Sequence, residues 1–384
     1  MKRDTSIKRI VKSVCPPILI SAYRKVRPSA SWNTDFRKWW KRESASLELH
    51  PDLVRMIDAY VESPTFKAVS KYWSWLNIRN IQQLSDYGYA NFKQTVARNY
   101  FTWVETLGGS YLNDVYLQNV LKDLDRLALQ IPVKQIMKKH DQFTLMESVQ
   151  HNLATALLFE YVSGRMGTTK YEIIEEPLEG NPPYITLNNR RITQDVLNST
   201  LEYLSLVEIC KSNNVSRILE LGAGSGRTSF CLMKHSPEAK YVVVDIPPAL
   251  FISQTYLSKV FPERKIFKFR PFTSLDEIEA EFQMADLAFL MPHQIDLLPP
   301  KSFDLFLAID CLHEMTRAQT DIYFGQADRL ARLFYYKCWK KTAVRFDNIV
   351  YTNKDYPVRA TWTELFNRPC EVPSAYFEAC YWTN

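Results

Sequence analysis

Apolar and polar positions follow two different patterns along the 384-residue chain, and the change falls near residue 193. Before it, apolar residues recur every three or four positions over 51–75, 80–103, 112–130 and 142–163. This spacing puts the apolar side chains on one face of a helix. The pattern predicts a mainly helical domain over residues 32–195.

Short apolar runs bounded by turns take over after residue 193, at 216–221, 239–246, 265–269 and 303–309. Runs of this length are typical of buried parallel strands. Segments with helical spacing lie at 195–210, 227–235, 249–260 and 316–329, and further strands are predicted at 330–339 and, as a final edge strand, at 375–382. Strand–helix alternation predicts an open, doubly wound α/β domain over residues 196–384.

A glycine-rich turn follows the first predicted strand, where residues 217–226 read Arg-Ile-Leu-Glu-Leu-Gly-Ala-Gly-Ser-Gly. Gly222, Gly224 and Gly226 permit a tight turn and a close approach of the backbone to a ligand. The turn lies at the strand end where open α/β sheets bind ligands. A dinucleotide site has the spacing G-x-G-x-x-G. Here the third glycine comes one residue early, so the turn departs from that pattern.

Two acids flank the glycine-rich turn. Glu220 lies two residues before the first glycine, where a carboxylate can bind an ammonium group and would repel a phosphate. Asp245 ends the second predicted strand, and its carboxylate has enough lone pairs to accept both hydroxyls of a ribose. Ile246 would then lie against the base. Strand, acid, glycine turn, helix, strand and acid together predict a site for a cationic amino-acid nucleoside.

Residues 217–248 resemble motifs I and II of the class I S-adenosylmethionine-dependent methyltransferases. The resemblance implies a Rossmann-like, doubly wound, mostly parallel seven-stranded sheet, with S-adenosylmethionine as the cofactor. The residues that it assigns to cofactor binding are Glu220, Gly222, Ala223, Gly224, Gly226, Asp245 and Ile246.

Short motifs elsewhere are similar to those of the sugar O-methyltransferases of bacterial surface-polysaccharide clusters. They are Asn91-Phe92-Lys93, Tyr100-Phe101, Gly180-Asn181-Pro182-Pro183, Gln194-Asp195, Asn198-Ser199, Asp245-Ile246-Pro247-Pro248 and His313-Glu314-Met315. This likeness implies methylation of a sugar hydroxyl in surface polysaccharide or glycoconjugate biosynthesis. Two alternatives stay open: a small natural product, phenol or amine, as the acceptor, and a non-catalytic module with a vestigial pocket. The intact acids and glycines argue against the second alternative.

Candidate catalytic residues follow the fourth predicted strand, at the same sheet edge as the glycines. A base in contact with a sugar hydroxyl should help its methylation, because the hydroxyl holds its proton tightly. His313 is favoured by its ordinary pKa near neutral pH, whereas the family resemblance favours Glu314. Asp310 would orient the base or contact the cofactor. The three could also hold a divalent metal, which is not expected because they match no recognised metal signature.

The acceptor pocket should come from the helical half if the α/β domain follows the class pattern. Candidates with side chains suited to hydroxyl or carboxylate groups are Lys93, Tyr100, Trp103, Asn181 and Arg190. His293, after an apolar run, is expected in a loop at the cofactor or acceptor edge.

Charge is concentrated at the start of the chain. The chain has a net charge of +6. Residues 1–42 contain twelve Lys or Arg but only two acids, so the rest of the chain has more acids than bases. Residues 1–31 therefore form a basic arm, which either contacts anionic lipid or is solvated. Nucleic acid is a weaker choice, since no reading motif accompanies the charge. The uncharged stretch 13–23 is too short to span a bilayer, and seven cysteines without a C-x-x-C pair indicate reduced thiols in a cytoplasmic protein without a zinc site.

Overall fold

The computed structural model describes residues 35–100, 142–166, 173–187, 189–344 and 347–383. Several sequence predictions lie outside these ranges: the basic arm 1–31, the helix at 112–130 and the acceptor candidate Trp103. The backbone of Tyr100 is described as the last residue of a short helix, without its side chain.

Helices account for most of the described N-terminal half and alternate with strands thereafter. They are α1 Phe36–Glu43, α2 Pro51–Glu62, α3 Pro64–Ala68, α4 Lys71–Tyr87, α5 Ala97–Tyr100, α6 Leu145–Met166, α7 Gln194–Ser212, α8 Arg227–His235, α9 Ala249–Val260, α10 Glu279–Met284 and α11 Arg317–Leu330. Segments with helical spacing at 195–210, 227–235, 249–260 and 316–329 are confirmed to within two residues.

The predicted helical run over 51–75 is broken into three helices. Ser63 ends α2, and its side chain accepts a hydrogen bond from the Phe66 amide at the start of α3. Ser70 does the same for the Trp73 amide at the start of α4. Serine at an N-cap satisfies amides that have no partner within the helix. These two residues therefore start new helices within what the apolar spacing predicted as one continuous helical run.

Twelve strands lie within the described residues. They are β1 Ile185–Leu187, β2 Arg190–Ile192, β3 Arg217–Leu221, β4 Lys240–Val244, β5 Ile266–Phe267, β6 Leu287–Leu290, β7 Phe303–Ile309, β8 Ala331–Trp339, β9 Lys341–Val344, β10 Ile349–Thr352, β11 Thr363–Pro369 and β12 Tyr376–Trp382. Eight of them form one sheet in the order β11-β12-β8-β7-β3-β4-β6-β5, and β1-β2 and β9-β10 are separate antiparallel pairs.

The large sheet confirms the predicted Rossmann-like, doubly wound and mostly parallel class. Strands β3 to β7 are parallel to all their neighbours, whereas β8 is parallel to β7 and antiparallel to β12. Two details of the prediction are wrong. The sheet has eight strands rather than seven, and β12 is an internal strand because β11 pairs along its outer side.

Two strands of this sheet escaped sequence prediction for different reasons. The four-residue β6 lies in the apolar run that precedes His293, and so short a run is ambiguous without its neighbours. β11 is a largely exposed edge strand, so its sequence has no apolar alternation to reveal it. Pairing with β12 stabilises it instead.

The central strands bury both faces, and each face has its own core. Along β3, Ile218 packs in one apolar cluster, whereas Leu219 and Leu221 pack in the other. Helices α7, α8 and α9 and the described N-terminal helices contribute to the first cluster, and α11 contributes to the second. The N-terminal helices therefore share a core with one face of the sheet. The boundary predicted at residue 195 stays a prediction.

Candidate active site

A cavity of about 850 Å³, including its open mouth, lies at the carboxyl ends of β3, β4 and β7. Strand order reverses between β3 and its two neighbours, and open α/β sheets bind ligands at such a switch point. Six of the seven predicted cofactor residues line the cavity: Glu220, Gly222, Ala223, Gly224, Asp245 and Ile246. The two acids therefore lie on the same side of the sheet, as a shared cofactor site requires.

Gly226 is not among the residues that line the cavity. It caps α8 with a φ of +81°, and a Cβ placed there would lie 3.2 Å from the Leu257 side chain of α9. Its contribution is therefore to the left-handed turn and to the packing of α8 against α9. A direct contact of this glycine with the cofactor stays a prediction.

Gly222 shows how tightly the turn is built. Its φ is +70°, and a Cβ placed there would lie 2.6 Å from Cβ of Cys311, at the end of β7. We expect Gly222→Ala to lower the free energy of unfolding by about 2–4 kcal/mol, since it adds both backbone strain and a steric clash. Chemical denaturation measures this change.

Gly164 within α6 provides the matched control for Gly222→Ala. A Cβ at Gly164 meets nothing within 4 Å, so Gly164→Ala should be neutral or stabilise the helix by about 0.5–1 kcal/mol. Equal unfolding midpoints for the two variants would contradict the close approach of the turn to Cys311.

Asp245 is held by two backbone amides, one in the glycine-rich turn and one at the residue that follows it in sequence. Its Oδ2 accepts a hydrogen bond from the Gly224 amide at 2.7 Å, and its Oδ1 accepts one from the Ile246 amide at 2.7 Å. Each oxygen keeps lone pairs for a ligand. Burial raises the pKa of Asp245 to about 7, although both amide donors act to lower it.

Glu220 is buried at the foot of the cavity. Its Oε2 accepts hydrogen bonds from the hydroxyls of Ser229, at 2.5 Å, and Tyr241, at 2.6 Å. Burial raises the pKa of this carboxyl, and the two donors oppose the rise. Within the described residues no hydrogen bond reaches Oε1, so that oxygen is available to a cation in the cavity.

Arg227 is the cation that lines this cavity, and sequence analysis gave it no role. Its two terminal nitrogens donate to both oxygens of Glu202, at 2.7 and 2.9 Å, and Glu202 also accepts from Lys337 at 3.2 Å. All three side chains are buried. Because the Arg227–Glu202 pair is bidentate, the guanidinium is fixed and largely neutralised.

The three catalytic candidates separate into two that face the cavity and one that does not. Asp310 and Glu314 line the cavity, whereas His313 is buried beside it, with Nε2 3.5 Å from Oδ1 of Asp310. Burial lowers the pKa of His313 to about 3. An imidazole that has so low a pKa and does not line the cavity is a weak base for a bound acceptor, so the geometry favours Glu314 over His313, and the identity of the base stays a prediction.

Glu314 has the position and environment that a base requires. Burial, reinforced by the nearby Asp310 carboxyl, raises its pKa well above the usual value, and a hydrogen bond from the Trp73 side chain opposes the rise. Asp310 has a left-handed backbone with φ 57°. Its Oδ1 accepts from the Tyr376 hydroxyl at 2.8 Å, and burial raises its pKa to about 7.

The N-terminal helices close one side of the cavity through residues that sequence analysis missed. They are Thr65 on α3, Val69 between α3 and α4, and Trp73 near the start of α4. Their four-residue spacing is the only signal in the sequence, and ordinary core-facing helix residues have the same spacing. The expectation that the helical half contributes to the pocket therefore holds for different residues.

None of the described acceptor candidates lines the cavity. Lys93 is buried, with Nζ 2.9 Å from Glu176 and 2.7 Å from Asp195. Desolvation acts to lower its pKa, but these two carboxylates outweigh it and hold the pKa above the usual value. Lys93 is thus a structural cation within the fold.

Three other acceptor candidates also have structural partners. Asn181 Nδ2 donates to Asn91 Oδ1 at 2.9 Å, and the Arg190 guanidinium donates to the carbonyl of Ile173. His293 Nδ1 lies 3.2 Å from the Thr65 hydroxyl, so its ring supports a residue of the cavity wall.

Two features are absent from the described residues. No group of three or more His, Cys, Asp or Glu side chains in those residues is arranged to hold a metal ion. Among the helices of the same residues, none combines the length and the apolar character needed to cross a membrane.

No protein-family model and no curated protein matches the chain. Solved structures match about half of it. A SAM-dependent methyltransferase from Aquifex aeolicus is 13% identical over 48% of this chain and 93% of its own, with a TM-score of 0.32. The Burkholderia thailandensis 1,6-didemethyltoxoflavin-N1-methyltransferase, solved with S-adenosylhomocysteine, is 14% identical over 47% and 77%, with a TM-score of 0.33. The mitomycin 7-O-methyltransferase is 10% identical over 49% and 57%, with a TM-score of 0.31.

Proposed function

We propose that the protein is an S-adenosylmethionine-dependent O-methyltransferase that acts on a sugar hydroxyl. The observation that carries the proposal is the convergence of Glu220, the glycine turn and Asp245 on one cavity at the switch point of the sheet. The sequence motifs assign Glu220 to the ammonium group of the cofactor and Asp245 to its ribose hydroxyls, and both carboxyls line this one cavity.

The chemistry of the cavity wall fits the cofactor. Asp245 offers a fixed carboxylate for the two ribose hydroxyls, and Ile246 offers an apolar face for the adenine. Glu220 offers Oε1 for the ammonium group. When bound, the cofactor supplies a methyl group on a sulfonium, so that the acceptor oxygen forms the new C–O bond while the C–S electron pair stays on sulfur and the hydroxyl proton leaves.

Glu314 is the group we assign to receive that proton. It lines the cavity, and its raised pKa makes the carboxylate a stronger base than a solvated glutamate. Asp310 lies beside it and accepts a hydrogen bond from the Tyr376 hydroxyl.

Calorimetry followed by a transfer screen tests the proposal. Binding of S-adenosylmethionine to the full chain is measured first, and transfer of a tritiated methyl group to a panel of glycans and sugar nucleotides second. Failure to bind the cofactor at high micromolar concentration would remove the enzyme assignment. Transfer to phenols or amines alone would favour the small-molecule alternative.

Cofactor affinity should depend on pH through Asp245. Burial raises the pKa of this carboxyl to about 7 in the free protein, and the ribose hydroxyls need its ionised form as an acceptor. Below pH 7 binding must expel the proton. We therefore expect the affinity to fall about tenfold per pH unit from pH 7 to pH 5 and to level off above pH 7. Titration calorimetry in a pH series measures this, and constant affinity from pH 5 to 8 would contradict it.

A further inference from the structure

One end of the cavity has polar and aromatic groups that the cofactor assignment does not use. Trp73 comes from α4, and Glu314, Met315 and Gln319 come from the segment between β7 and α11. From these groups we infer an acceptor subsite in which Trp73 stacks on a sugar ring, Gln319 donates to a ring hydroxyl, and Glu314 takes the proton of the reacting hydroxyl. The inference rests on the proposed function and names its acceptor contacts.

Trp73 combines a stacking surface with a fixed orientation. Its side chain is half-buried on the cavity wall and hydrogen-bonds to Glu314. The indole N–H can only donate, so the carboxyl of Glu314 is held at the edge of the ring. A sugar that lays its apolar C–H face on the indole would therefore present its rim hydroxyls to Glu314. Large flat side chains of this kind bind ligand rings with little loss of conformational entropy.

The side-chain amide of Gln319 is oriented by its hydrogen bonds to Thr316 at the start of α11. Its Oε1 accepts from the Thr316 amide at 3.0 Å and from the Thr316 hydroxyl at 3.2 Å, in a capping box at the start of α11. Within the described residues its Nε2 has no hydrogen-bond partner. A cavity-lining amide with its oxygen engaged and its nitrogen free is suited to a ligand oxygen.

The charges of the cavity favour a neutral hydroxyl as the acceptor over an anionic group or an amine. Four carboxyl groups line it, on Glu220, Asp245, Asp310 and Glu314. Arg227 is the one cation on the described wall, and both of its terminal nitrogens are bound to Glu202. An anionic acceptor group such as a phosphate would be repelled by those acids that are ionised. An amine would be held in its protonated form, which has no lone pair to accept a methyl group. A neutral hydroxyl suffers neither penalty, and the aliphatic face that a sugar offers to Trp73 is what the matched phenols test.

Variants of Trp73 and Gln319 test the subsite in the full chain, with Trp75→Ala as control. Trp75 is a half-buried neighbour on α4 that does not line the cavity. Methyl glycosides of common hexoses and deoxyhexoses serve as acceptor probes, with matched phenols beside them. We expect Trp73→Ala to raise the KM for the glycoside at least tenfold while the Kd for S-adenosylmethionine changes less than threefold.

Two conservative substitutions test the indole N–H of Trp73 and the amide nitrogen of Gln319 separately. Trp73→Phe keeps a ring but removes the N–H, so the pH profile of kcat/KM should shift to higher pH with a smaller change in KM. Gln319→Glu keeps the capping oxygen and removes the donor nitrogen, so KM should rise about tenfold at an unchanged unfolding midpoint.

The outcomes distinguish this inference from the proposed function. Wild-type protein that fails to bind S-adenosylmethionine overturns the proposed function. Cofactor binding with a glycoside KM no more affected by Trp73→Ala than by Trp75→Ala overturns the subsite alone, and so does transfer to phenols only. If no probe is methylated, saturation-transfer NMR on the protein loaded with S-adenosylhomocysteine decides: absence of glycoside binding, or binding unchanged in Trp73→Ala, overturns it.

Discussion

Replacing Asp245 by asparagine should weaken S-adenosylmethionine binding about 30- to 150-fold, equivalent to about 2–3 kcal/mol for lost hydrogen bonds to a charged group. The carboxylate already holds the amides of Gly224 and Ile246 with its two oxygens. Asparagine has one oxygen, so its NH₂ group must face one of these amide donors or the ribose. Titration calorimetry at pH 8, where the wild-type carboxylate is ionised, measures the loss.

Asp304→Asn is the matched control for Asp245→Asn. Asp304 lies near the start of β7, away from the carboxyl ends that form the cavity, and accepts from the amides of Ser216 and Arg217 at 2.9 Å. Its loss should reduce stability but leave cofactor affinity unchanged. Equal affinity of Asp245→Asn and wild-type protein would remove Asp245 from the cofactor site.

Replacing Glu314 by glutamine should lower kcat by about 10²- to 10⁴-fold, the usual contribution of a positioned base. Glutamine is similar in shape and can still accept a hydrogen bond from Trp73, but it cannot receive a proton. The Kd for S-adenosylmethionine should change less than threefold, so that kcat and binding separate. Single-turnover methyl transfer under saturating cofactor measures the effect.

Two further variants make the Glu314 result interpretable. Glu279→Gln alters an exposed carboxylate on α10 and should leave kcat unchanged. His313→Gln should reduce kcat far less than Glu314→Gln, since the imidazole does not line the cavity and burial holds its pKa near 3. A greater loss in His313→Gln than in Glu314→Gln would return the base assignment to the histidine.

The strands, the glycine turn and the acids of the proposed cofactor site could be predicted because each depends on residues that are close in sequence. β3, β4, β7 and β8 lie within two residues of their predicted bounds. The glycine turn and its acids follow from φ preferences and from where strands end, which depend on few residues. Strand β5 was predicted longer than its two residues, and strand β6 was missed, because short apolar runs depend on their neighbours.

Long-range packing explains why the residues of the acceptor side of the cavity could not be predicted from the sequence. Lys93 was expected at a ligand, but Glu176 and Asp195, distant in sequence, hold it in a buried ion cluster. Trp73 lies on the cavity wall because the fold brings the start of α4 beside the ends of β3, β4 and β7, and no local pattern separates it from a core residue. Partners this far apart in sequence are brought together only by the fold.

The sequence by itself determined the α/β class, the position of the glycine turn, and Glu220 and Asp245 as the acids that flank it, because each depends on the backbone within a few residues. Only the tertiary structure decided which residues complete the cavity. His313 and Glu314 are adjacent in a single 3₁₀ turn, where successive side chains point about 120° apart. Packing against the sheet buries the histidine and leaves the glutamate on the cavity wall. The ordinary pKa values of the two side chains favoured the histidine, so only the family resemblance pointed to the glutamate before the structure.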